Sequence, residues 1–155
     1  MNPIRIISMS APNSVNFRNV GKSTPEMNVN SSIAAAMCSG MPALWWSAAR
    51  LKWADDRTGI SLLNEELLKF AEQTKQNDKW TIRKERDYLR KIVALAILEM
   101  SYPNKYCKDK LRCEFLGMSP SAYSVRWKKR YEIIYRQLDD WCSHAIGYLY
   151  KQNYL

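Results

Sequence analysis

CKDKLRCEFLGMSPSAYSVRWKKRYEIIYRQL, residues 107–138, is the stretch whose reading decides the fold. Leu111, Phe115 and Leu116 mark the apolar side of a short helix that runs into Gly117, a residue suited to the left-handed turn at a helix end. Ser119 is placed to cap the next helix through its hydroxyl. Pro120 fits the first helical position, where a missing N–H costs nothing. Two helices joined by so tight a glycine turn describe a helix-turn-helix, with the second helix as the reader.

The second helix has two different sides. Tyr123, Trp127, Tyr131, Ile134, Leu138 and Trp141 recur at steps of three or four and form an apolar stripe. Between them stand Ser121, Ser124, Arg126, Lys128, Lys129 and Arg136, small, polar or basic. One side can anchor in a core while the first two turns offer hydroxyls and cations to a groove. An ordinary amphipathic helix with a solvated basic face has the same pattern, and the turn chemistry and the charge placement together favour the sharper reading.

Outward from this motif, charge is unevenly spread. The chain of 155 residues has a formal net charge of +9. Residues 80–136 hold 14 Lys and Arg against 6 Asp and Glu, whereas residues 1–79 hold 9 against 7. The basic excess therefore coincides with the motif and the helix feeding it. Such a local field favours a polyanion, most simply a nucleic-acid backbone, through counterion release. An anionic membrane surface could use the same charge, but no segment approaches the roughly 18 apolar residues of a span, and no secretory signal is evident. Four cysteines are few for the length, which fits a reducing cytoplasm better than a disulfide scaffold.

Upstream, residues 1–30 are rich in Asn, Ser and Pro and are expected to form a loosely ordered arm, with a short extended piece at 4–7. Gly21-Lys22-Ser23-Thr24 mimics the end of a phosphate-binding loop. Asn16 stands where that motif needs its first glycine, so no glycine cradle can form. Residues 31–155 are expected to form one helical domain: a short helix ending near Gly40, a tryptophan-rich helix opened by Pro42, and an amphipathic helix after Gly59. Trp45, Trp46 and Trp53 read as core, with an exposed stacking or docking surface as the alternative. Next comes a helix from a Thr81 cap to about Ser101, with Tyr88, Leu89, Ile92, Val93, Ala96, Ile97 and Met100 inward. Tyr102-Pro103-Asn104 breaks it, and after the motif one long last helix runs on towards Asn153. The fold class is all-α.

Chemistry-bearing sets are sparse. His144 is the single histidine. Cys107, Cys113, Cys142 and His144 lack the close cysteine pairs of structural zinc sites, so no metal or other cofactor is expected. The acid pairs Asp55-Asp56, Glu65-Glu66 and Asp139-Asp140 are adjacent residues that diverge by about 100° on a helix. They do not converge on one substrate atom, and the chain does not read as an enzyme.

The segment LEMSYPNKYCKDKLRCEFLGMSPSAYSVRWKKRYEIIYRQLDDW resembles the region-4-type helix-turn-helix of sigma factors. It is still more similar to the C-terminal part of lambdoid-phage late-gene antitermination proteins, the Q proteins, and of related prophage proteins. The features carrying the likeness are the apolar helix ending near Met100, the Leu116-Gly117-Met118-Ser119 turn and a basic reader helix with Tyr123 and Trp127. It covers about half of the chain. It implies binding to DNA at a phage late promoter, loading onto bacterial RNA polymerase at a promoter-proximal pause, and read-through of terminators in the host cytoplasm. One branch of the family carries a zinc-binding insert with close cysteine pairs, which this chain lacks. Ser119, Ser121, Ala122, Ser124, Val125 and Arg126 are the expected groove readers. Lys128, Lys129, Arg130, Lys108, Lys110 and Arg112 are expected to hold phosphates. A repressor, a small DNA-packaging subunit or a basic protein-interaction module with the tryptophans as anchor are the alternatives.

Overall fold

The computed structural model describes residues 2–10, 31–74 and 82–152. These form helices and turns, with no strand among the described residues. Residues 11–30 lie outside them, as do the Gly21–Thr24 stretch, the Asn77-Asp78 stop and the Thr81 cap.

Two compact units are seen, one from Met1–Gly59 with Trp141–Leu155, the other from Ile60–Asp140. The first contains α1 (Pro3–Ser10), α2 (Ser31–Met37) and α3 (Ala43–Ala54). The C-terminal part of the last helix, α9 (Lys128–Lys151), joins them. α1 corrects the expected extended piece. Ile4, Ile6 and Ile7 are β-branched and favour a strand in isolation. However, the Asn2 side chain accepts from the Ile4 N–H at 3.0 Å, and Pro3 follows as a helix-starting residue. Ile6 and Ile7 are then buried in a cluster with Met37, Cys38, Ala49, Ala145 and Leu149. A cap and apolar burial outweigh a weak local preference. Trp45, Trp46 and Trp53 are half-buried and pack against the same cluster.

Polar contacts add to the apolar packing of the first unit. The Tyr148 hydroxyl donates to the Ser39 carbonyl at 2.8 Å. Asp55 ends α3 in the left-handed conformation, and the neighbouring Asp56 carboxylate pairs with Arg50 and accepts from the Thr58 N–H at 3.0 Å. Burial works against the Asp56 charge, but the Thr58 and Arg50 hydrogen bonds outweigh it and hold the carboxyl below its ordinary range.

The second unit contains α4 (Ile60–Gln73), α5 (Ile82–Ser101), α6 (Pro103–Tyr106), α7 (Asp109–Leu116) and α8 (Pro120–Ala122). A π-helical turn (Tyr123–Trp127) joins α8 to α9. Leu63, Leu67 and Ala71 of α4, and Leu89, Ile92, Val93, Ala96, Ile97 and Met100 of α5, supply much of its core. Those spacings are helical, so one face of each helix is removed from water. On the surface of α4, Lys69 lies 3.4 Å from Glu65 and 3.2 Å from Glu66.

Candidate nucleic-acid interface

α7, the Gly117–Ser119 turn and the reader helix build the site. Gly117 has φ +65°, and its N–H and that of Met118 turn back onto the Glu114 and Cys113 carbonyls. This double bond pattern stops α7 within one residue and requires the left-handed region. The Ser119 hydroxyl then accepts from the Ala122 N–H at 3.2 Å, with Pro120 at the start of the next helix. Cap, proline and glycine all occupy the positions the sequence assigns them.

Behind the reader, Tyr123, Trp127, Tyr131, Ile134 and Leu138 are buried. Two successive steps of four would carry such a stripe about 80° around an α-helix. The π turn counters that drift: the Lys128 N–H bonds to the Tyr123 carbonyl, five residues back, and places more residues in the turn. Tyr123, Trp127 and Tyr131 thus stay inward. Ser124, Val125 and Arg126 consequently stand exposed in succession, with Ser119, Ser121 and Lys129 also exposed and Ala122 half-buried.

α7 is seated differently from expectation. Leu116 is fully buried and Leu111 half-buried, but Phe115 is exposed, edge-on to Tyr106 at 6.2 Å. Cys113 takes the core position instead, and burial pushes its thiol up. Lys108 and Lys110 are exposed at the start of this helix. Lys110 and Ser124 border an open cleft of about 580 Å³, with Cys113, Met118, Pro120 and Tyr123 among its lining.

Two of the expected phosphate holders are structural. Arg130 is only 4% exposed. Its guanidinium donates to Glu85 at 2.9 Å, to the Thr74 hydroxyl at 3.0 Å and to the Ala71 carbonyl at 3.2 Å, while lying over the Trp127 ring. Arg112 donates to Glu99, to the Tyr106 carbonyl at 3.0 Å and to Asp109 at 3.0 Å, over the Tyr131 ring. Burial opposes the Arg112 charge, but the hydrogen bond and field of Glu99 outweigh it and keep the group ionised. Each guanidinium thus commits three of its five N–H donors, one from each nitrogen, to partners within the fold. Lys128 is intermediate: its ammonium bonds to Asp109 at 2.8 Å, and that bond lowers the Asp109 pKa and raises its own.

Glu99 is the residue that sequence reasoning missed. It is 5% exposed and accepts from both Arg112 and the Tyr131 hydroxyl. Burial first, and then Glu99, push the Tyr131 phenol up; burial also pushes Tyr123 up to about 12. The available signal was an acid at helical spacing within the apolar face of α5, four residues after Leu95. Among the described residues, no three His, Cys, Asp or Glu side chains gather as metal ligands. Cys107 is exposed and Cys142 buried, and the His144 ring lies tilted against Trp45 with centroids 5.1 Å apart. No described helix is long and apolar enough to cross a membrane. No protein-family model, curated protein or solved structure matches the chain.

Proposed function

We propose that the chain is a DNA-binding protein, not an enzyme, which docks its reader helix in the major groove of double-stranded DNA. The observation that carries this reading is the division of one helix. Five large side chains pin it from behind, while Ser121, Ser124, Val125, Arg126 and Lys129 stand outward beside Ser119. Such an arrangement supplies hydroxyls and a guanidinium for base edges and an ammonium for the backbone. Lys108, Lys110 and Lys129 are assigned to phosphates, with Lys128 joining them if its Asp109 partner lets go; Arg112 and Arg130 are withdrawn from that role.

The resemblance of residues 98–141 to late-gene antitermination proteins narrows the setting to phage transcription, with bacterial RNA polymerase as second partner. A mobility-shift titration at low salt tests the DNA-binding step. Arg126→Ala is expected to weaken binding to a selected site by about 1–3 kcal/mol if it meets a guanine. Lys129→Ala weakens binding to every sequence about equally. If the double variant binds DNA as the parent does, the interface lies elsewhere. Run-off transcription past a terminator separates antitermination from repression or packaging, because only antitermination raises read-through.

A further inference from the structure

Val125 is 81% exposed, a large apolar side chain left almost wholly in water in the second turn of the reader helix. Exposed residues surround it: Ser121 and Ser124 on one side, Arg126 and Lys129 on the other. A β-branched residue also loses rotamer freedom in a helix, so neither burial nor helix propensity favours valine there. The π turn accounts for this exposure. By keeping Tyr123 and Trp127 inward, it leaves Ser124, Val125 and Arg126 as three consecutive outward residues, with the aliphatic one in the middle.

In the major groove, the apolar group on a base edge is the 5-methyl of thymine; the other features are hydrogen-bond donors and acceptors. We infer that Val125 is a specificity-determining residue that packs on a thymine 5-methyl group, next to the base pair met by Arg126. This inference rests on the DNA-binding reading above. Isopropyl against methyl removes both from water, and neither flanking serine can replace that contact. A 5-methylcytosine carries the same methyl but offers an amine donor where thymine offers an acceptor, so the two sources can be told apart.

The test begins with selection of bound sequences from random duplexes by the full chain. Each thymine of the enriched site is then replaced by uracil, which removes the methyl alone, and affinities are compared at fixed salt. At one thymine per site, the parent protein is expected to lose about four-fold, the equivalent of one buried methyl. Val125→Ala should show that loss already on the thymine duplex and no further loss on uracil, whereas Val125→Ile keeps the discrimination. Placing 5-methylcytosine at that position should not restore parental affinity; full restoration would overturn thymine in favour of the methyl alone. If the parent binds uracil duplexes as tightly at every position, or Val125→Ala still discriminates, the inference fails while DNA binding stands. Absence of any enriched site would overturn base reading and this inference together. Exposure at position 125 makes misfolding of the alanine variant a poor explanation, and an unchanged thermal midpoint verifies it.

Discussion

Arg130 and Lys129 are neighbours in a basic run, yet the structure gives them opposite roles, and replacing each by alanine exposes the difference. Arg130→Ala removes one partner of a buried ion pair and strands Glu85, which keeps 20% of its side chain exposed. Breaking such a pair from one side costs about 3–5 kcal/mol. Partial hydration of Glu85 relieves some of this, which places the loss near the lower end, about 3 kcal/mol. The Thr74 hydroxyl and Ala71 carbonyl also lose a donor, and the Trp127 ring loses the cation above it. In urea the unfolding midpoint should fall by roughly 1–2 M. Adding Glu85→Gln to Arg130→Met should recover much of the loss, since removing both charges leaves nothing unpaired. Lys129→Ala should leave the midpoint unchanged and lower the slope of log affinity against log salt on DNA by about 0.9. The reasoning would be refuted if Arg130→Ala unfolded within 1 kcal/mol of the parent, roughly the value of an exposed pair, while losing a unit of salt slope.

Two further perturbations probe the frame of the motif. Gly117→Ala places a side chain at φ +65° with no atom within 4 Å of the added Cβ, so the cost is conformational and not steric. A loss of about 1–2 kcal/mol is expected, with Gly117→Asn costing less, both read from denaturation midpoints. Equal losses for the two variants would point to a cause other than backbone strain. At alkaline pH the buried phenols act together. Unfolded tyrosine ionises near pH 10, whereas Tyr123 is pushed up to about 12 and Tyr131 is raised further into the alkaline range. The unfolded chain therefore sheds protons that the folded chain retains. The stabilisation from these neutral phenols is complete below about pH 10 and is lost as pH rises, by at most about 1.4 kcal/mol per pH unit for each tyrosine. Tyr123→Phe should flatten the profile of stability between pH 10 and 12, and an unchanged slope would contradict the assigned burial effect.

Local rules made much of the motif legible. A glycine in a left-handed turn, a serine cap, a proline at the helix start and a stripe at steps of three or four each act within a few residues. Their physics is written in adjacent positions, and Gly117, Ser119, Pro120 and the Tyr123-to-Trp141 stripe stand where those rules put them. What only tertiary structure decided was which cations are spent inside. Arg112 meets Glu99, 13 residues away, and Arg130 meets Glu85, 45 residues away. Those pairings depend on how helices pack, because a charge removed from water must find a partner wherever the core presents one. Packing of apolar surface, in turn, puts Cys113 inside and Phe115 outside, and adds to the Asn2 cap in making a helix of Pro3–Ser10. Composition counts charge, but packing decides how much of it remains on the surface.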